Sequence, residues 1–151
     1  MTEYPPSPVH LAVESSAEQL PAVRSAVERM CQAIGFGEPQ VGNIVLSTDE
    51  ALTNIIRHAY RGQPGQPIEI QMGAIDQAGR GGIRIVIRDH GRAVPPEQIK
   101  PKCPGTLRPG GLGVHIMREC MDELDYRPAD GGGTRLTMTK WLDARKGGGS
   151  E

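Results

Sequence analysis

The chain has 151 residues and a mass of 16.3 kDa, a length that favours one domain with a core of its own. Gly (20) and Pro (13) are plentiful, and hydrophobic residues make up 37% against 3% aromatics. This composition suits a loop-rich globular domain and excludes an aromatic stacking platform for single-stranded nucleic acid. The formal net charge of -1 and pI near 6.4 give no basic footprint for direct nucleic-acid binding and no polybasic membrane signal.

No apolar run approaches the ~18 residues of a bilayer span. The first residues, MTEYPPSPVH, lack the charged and apolar regions of a signal peptide. Cys31, Cys103 and Cys120 are odd in number and show no CxxC spacing, which argues against a disulfide framework or a zinc site and for a cytoplasmic protein.

Residues 1–8 are Pro-rich and expected to be flexible. Val9, Leu11 and Val13 alternate as a short strand does. Ser15 and Ser16 are candidate helix N-caps, with Glu18 and Gln19 at capping-box spacing. Val23, Ala26, Val27, Met30 and Ile34 follow at helical intervals until Gly35-Phe36-Gly37. A second helix is expected from Glu38-Pro39 to about Tyr60, its apolar face formed by Val41, Ile44, Val45, Leu52, Ile55, Ile56 and Ala59. Two strands follow, on Ile68, Ile70, Met72 and on Ile83, Ile85, Ile87, with residues 76–82 expected as the hairpin loop.

Residues 90–110 hold five prolines and are expected to form a lid or binding loop. Helical spacing returns from Val114 to Leu124. Tyr126–Pro128 and Thr134–Leu142 then read as strands around the turn Asp130-Gly131-Gly132-Gly133. The domain is therefore expected to span 9–142, with 143–151 a flexible tail. The order β-α-α-β-β-lid-α-β-β predicts an α+β two-layer sandwich, a mixed and mainly antiparallel sheet with helices on one face.

Four short patterns carry chemistry. Glu50, Asn54 and His58 sit at i, i+4, i+8 on one helical stripe beside an apolar face. A carboxylate and an amide there suit a base and a Mg²⁺ ligand. Ile85-Val86-Ile87-Arg88-Asp89-His90-Gly91 runs a strand into Asp-x-Gly, where a buried carboxylate can accept a hydrogen bond from an exocyclic amine and glycine permits close approach. Gly110-Gly111-Leu112-Gly113 opens a helix, whose bare amides and dipole favour phosphate. Gly131-Gly132-Gly133-Thr134 enters the last strand and brings a hydroxyl that could meet a base. Singly, each pattern also fits a solvated helix face, a turn or a hinge.

Their order narrows the choice. It resembles the Bergerat-fold (GHKL) ATP-binding superfamily of gyrase, Hsp90, histidine kinases and MutL. The stretches EALTNIIRHAY, IRDHG, GGLGVHIMRECMDEL and GGGTRLTMTK most resemble the stand-alone anti-sigma-factor serine/threonine kinases of bacterial partner-switching systems. The resemblance implies ATP and Mg²⁺ as cofactors. It implies Glu50 as the general base or orienting group, Asn54 as the Mg²⁺ ligand, and Asp89 as the acceptor for the adenine amine. Gly91 would be the close-approach glycine, Gly111 and Gly113 the lid glycines that meet the phosphates, Thr134 the threonine near adenine, and Arg108 a phosphate contact. His58 matches a family histidine expected to support the helix. Ala93 departs from the pattern, standing where the glycine box often has its second glycine.

The activity implied is phosphoryl transfer from Mg·ATP to serine or threonine. The partners implied are a sigma factor held inactive and a STAS-domain antagonist that is phosphorylated, with homodimers common in the family. Alternatives are a non-catalytic ATP-binding interaction module and a stand-alone catalytic domain of a histidine phosphorelay, the latter separable by the acid lability of phosphohistidine.

Overall fold

The structure is a computed structural model that describes residues 5–92 and 116–142. Its elements are β1 (Val9–Glu14), a 3-10 turn (Ala17–Gln19), α1 (Leu20–Ile34), α2 (Glu38–Asn54), a π-helical turn (Ile55–Ala59), β2 (Pro67–Gln77), β3 (Arg80–Asp89), β4 (Glu123–Pro128) and β5 (Thr134–Trp141). Residues 116–120 are helical. The strands form one five-stranded sheet in the order β1-β2-β3-β5-β4, and every pairing is antiparallel. The expected α+β two-layer architecture is present, with the mainly antiparallel sheet at its fully antiparallel limit.

Period-2 alternation decides which residues face the helices. Ile68, Ile70 and Met72 of β2, Ile83, Ile85 and Ile87 of β3, and Leu136 and Met138 of β5 are buried. They share one core with Val23, Val27, Met30 and Cys31 of α1 and Val41, Ile44 and Leu52 of α2. The opposite face carries Glu69, Gln71, Arg84, Val86, Arg88, Arg135 and Thr137 around a groove. The sheet is thus covered by helices on one side, as its binary pattern demands. Cys31 is fully buried, and burial pushes its thiol up to about 12, the signature of an inert core cysteine. No described helix is long and apolar enough to cross a membrane.

Gly35 ends α1 at φ +117°, a left-handed cap that only glycine adopts at no steric cost. Ser15 does not cap a helix as expected. Its hydroxyl donates to the Gln63 carbonyl at 2.7 Å and accepts the Gln66 amide at 2.9 Å, pinning the loop after α2 to the end of β1. Ser16 precedes the 3-10 turn without a side-chain cap bond, and α1 starts only at Leu20.

The hairpin loop expected over 76–82 is a two-residue turn instead. β2 and β3 pair as far as Gln77↔Arg80, and Ala78 (φ +56°) and Gly79 (φ +84°) make the reversal. Both central residues have positive φ, the primed turn that matches strand twist. The helix expected through Leu124 is replaced by strand from Glu123. Asp122 causes the change: its amide donates to the Thr139 carbonyl at 2.9 Å and its carboxylate accepts the Trp141 amide at 2.8 Å, drawing the chain into the sheet.

Candidate functional site

The site lies where the C-terminal end of α2 meets the ends of β3 and β5. A pocket opens there, lined by Ala51, Asn54, Ile55, His58, Ala59, Ile87, Asp89, Tyr126, Thr134 and Leu136. Four of the residues singled out from the sequence, Asn54, His58, Asp89 and Thr134, therefore share one wall-and-floor arrangement. Glu50 is half-buried, one turn before Asn54 on α2 and outside the lining. Arg108, Gly111, Gly113 and Ala93 lie outside the described residues, as do Cys103 and most of the Pro-rich lid.

Asp89 owes its burial to strand periodicity. It is the next inward position after Ile83, Ile85 and Ile87, and only 2% of it is exposed. Burial raises the pKa of its carboxyl, against the pull of amides from Gly91 and Thr134 and the charges of His90 and Arg88. The Gly91 amide donates to Oδ1 at 2.9 Å. A carboxylate holds about four acceptor positions, so two backbone donors leave capacity for a ligand amine.

Gly91 is required by close approach. A Cβ there would stand 2.5 Å from the Ala59 carbonyl oxygen and 2.8 Å from a Tyr60 ring carbon. The chain is stitched at this point, because the Arg92 amide donates to the Ala59 carbonyl at 2.9 Å.

The helix that carries Asn54 does not stay α-helical. From Ile55 to Ala59 it widens to a π turn, closed by the Tyr60 amide on the Ile55 carbonyl at 2.9 Å. Such turns concentrate at functional sites. The even spacing expected for Glu50, Asn54 and His58 is thereby broken after Asn54, yet His58 still faces the pocket. Burial, then Arg57 and Arg92, lower the pKa of His58, which favours its neutral form. Nδ2 of Asn54 is buried and makes no hydrogen bond. The Asn54 side chain helps hold down the pKa of Tyr126, which burial nonetheless raises to about 12, so the two groups face each other without a well-formed bond from Nδ2.

An unsatisfied amide beside a buried carboxylate in an apolar pocket fits a polar ligand with a flat apolar body. Among the described residues, no three His, Cys, Asp or Glu side chains gather to hold a metal unaided. Asn54 is instead suited to a Mg²⁺ whose other ligands are water and phosphate, the usual manner of that ion. Three residues important to this geometry were given no role from the sequence: Tyr60 and Arg88, although they lie within the stretches EALTNIIRHAY and IRDHG, and Tyr126. Only alternation along β3 gave a hint of Arg88, by turning it outward.

Comparison with known proteins agrees with the geometry. Residues 13–140 match the family described as histidine kinase-like ATPase domain. The serine-protein kinase RsbW of Bacillus subtilis is 23% identical over 146 residues, covering 91% of this chain and 88% of the relative. The serine/threonine-protein kinase BtrW of Bordetella bronchiseptica is 37% identical over 100 residues, covering 64% of this chain and 67% of the relative. A solved structure of the RsbU and RsbW domains of Rv1364c from Mycobacterium tuberculosis superposes with a TM-score of 0.61 at 18% identity. It covers 89% of this chain, which spans 32% of that longer one.

Proposed function

The chain belongs to the histidine kinase-like ATPase domain family, a GHKL-type family, and from that premise we propose that it is an ATP-dependent protein serine/threonine kinase. In this reading it serves as an anti-sigma regulatory factor of a cytoplasmic partner-switching system. It binds a sigma factor and phosphorylates a STAS-domain antagonist. The observation that carries the reading is the buried Asp89 carboxylate, 2% exposed, in one pocket with the Asn54 amide. The names of the relatives RsbW and BtrW, both kinases of serine or threonine, support the choice of phosphoacceptor.

Asp89 accepts the exocyclic amine of adenine, a donor that guanine lacks at the same ring position. Its two backbone donors, from Gly91 and Thr134, orient the carboxylate and favour its charged form. Ile55, Ile87, Leu136 and Ala51 surround the base with apolar contacts, and the Thr134 hydroxyl lies within the same lining. Asn54 is the protein ligand of Mg²⁺, which when bound neutralises phosphate charge. Gly111 and Gly113 offer backbone amides to the phosphates and Arg108 offers a guanidinium, as helix N-termini and arginines do in phosphoryl transfer. Glu50, one turn before Asn54, orients the attacking hydroxyl or accepts its proton.

Phosphorylation of the antagonist adds a doubly charged group to its contact surface, which is sufficient to alter pairing. The test is thermal unfolding with and without Mg·ATP, on wild type and Asp89→Asn. Nucleotide at 100 times its dissociation constant stabilises by about 2.7 kcal/mol, a rise of several degrees. No rise in the wild type at millimolar nucleotide would sink the reading. An acid-labile phosphoprotein in a transfer assay with STAS partners would replace serine by histidine as acceptor.

A further inference from the structure

Residues 131–133 are three consecutive glycines, all with positive φ, +85°, +108° and +82°. Such a stretch has large conformational freedom and needs external restraint to hold one shape. Its own bonds are a turn pair, the Gly132 amide on the Ala129 carbonyl at 3.1 Å and the Ala129 amide on the Gly133 carbonyl at 3.0 Å. The last glycine rests directly on β3. A Cβ at Gly133 would collide with the Asp89 carbonyl, and it would stand 2.8 Å from the His90 Cα.

One side chain reaches this turn from β3. Arg88 donates from Nη2 to the carbonyls of Asp130 at 3.0 Å and Gly132 at 3.2 Å, and from Nε to the Asp89 carbonyl at 3.3 Å. It does so from the outer face, where it lines the groove with Glu69 and Arg135, while its neighbours Ile87 and Asp89 face the pocket. One planar guanidinium therefore ties the turn to the residue that carries the pocket carboxylate. The next residue after the turn is Thr134, whose amide bonds that same carboxylate.

We propose that Arg88 is a positioning residue for the nucleotide: acting from behind the sheet, it locks the triple-glycine turn onto β3 and fixes Thr134 relative to the Asp89 carboxylate. This rests on the nucleotide-binding reading given above. Arg88 touches no part of the pocket interior, so its loss acts on recognition of the base and leaves the reacting groups in place. Lysine substitutes only in part, because an ammonium presents a single point where the guanidinium presents a fork.

Mg·ATP and Mg·GTP binding is measured on wild type, Arg88→Gln, Arg88→Lys and a control, Arg84→Gln. Arg84 is the preceding outward arginine of β3 and donates to Thr139 Oγ1 at 3.4 Å, away from the turn. Arg88→Gln is expected to bind Mg·ATP about tenfold more weakly and to discriminate less between ATP and GTP. Phosphoryl transfer at saturating ATP stays within about twofold of wild type, a loss in KM and not in kcat. Arg88→Lys falls between, and Arg84→Gln matches wild type. Without nucleotide, hydrogen exchange accelerates over residues 129–134 of Arg88→Gln and not over Ile83–Ile87.

Wild-type affinity and wild-type ATP preference in Arg88→Gln would overturn the role of Arg88 alone. So would equal loss of protection in β3, which marks general destabilisation. Should Arg88→Gln not fold, Arg88→Lys carries the same comparison. Failure of the wild type itself to bind Mg·ATP overturns the nucleotide reading and this role with it.

Discussion

The hydroxyl of Tyr60 accepts the His90 amide at 2.7 Å, and the same oxygen donates to the Pro67 carbonyl at 2.6 Å. One phenol thus joins the residue after the π turn to the strand end that carries Asp89 and to the start of β2. It is buried, and burial is the main reason that its pKa is raised.

Tyr60→Phe removes both bonds and leaves a part-buried amide and a part-buried carbonyl without partners. The expected cost is about 1–3 kcal/mol, seen as a lower urea midpoint. Because His90 stands between Asp89 and Gly91, Mg·ATP affinity falls as well. Unchanged stability in the phenylalanine variant would show that water replaces the hydroxyl.

Asp89→Asn separates stability from binding. The carboxyl is harder to ionise in the folded chain than in the unfolded one, so the folded state holds its proton more firmly. The stabilisation this brings is complete below the unfolded carboxylate pKa of about 4 and is lost as pH rises through the folded value. The wild type therefore loses stability relative to Asp89→Asn as the pH rises from about 4 through the folded value. Melting temperatures of both proteins across that range, without nucleotide, test the sign. At neutral pH the variant shows no stabilisation by Mg·ATP.

Gly91→Ala drives a methyl group against the Ala59 carbonyl and breaks the Arg92 to Ala59 hydrogen bond. Overpacking of this kind costs about 1–3 kcal/mol. Gly133→Ala costs more, since it adds a strained φ of +82° to a backbone collision. Chemical denaturation of the two variants gives the ranking directly.

Asn54→Ala is expected to fold as well as wild type, within about 1 kcal/mol, because its buried Nδ2 holds no partner whose loss would be felt. Phosphoryl transfer to a STAS partner is lost. A large drop in melting temperature would instead mark Asn54 as a structural residue.

The sheet and both long helices were legible in the sequence because their apolar residues keep to period 2 or period 3.6 throughout. Legibility failed where tertiary contacts overrule local pattern. Gly81 and Gly82 look like loop residues, yet both lie in β3. A Cβ at Gly82 would stand 2.5 Å from the Lys140 carbonyl, so the glycine reflects how closely β5 approaches. The helical spacing before Leu124 likewise gives way to the bonds of Asp122. Asn54, Asp89 and Thr134 could be named by residue type and order, but their meeting in one pocket depends on β5 lying beside β3. Tyr60 and Arg88 lie within EALTNIIRHAY and IRDHG, but they act through backbone carbonyls and amides, so their roles do not show in the pattern.

The strand order has a consequence for synthesis. β5 lies between β3 and β4 although it is made after both, so β4 has no neighbour to pair with until β5 arrives. Thr134 opens that late strand. A chain emerging from the ribosome can therefore assemble α1, α2 and the β1-β2-β3 portion early, while the wall of the pocket opposite Asn54 is still missing. The β5 side of the pocket is completed only once the chain has been made as far as Trp141, and a nascent chain arrested before that point would carry Asp89 with one side of its pocket open.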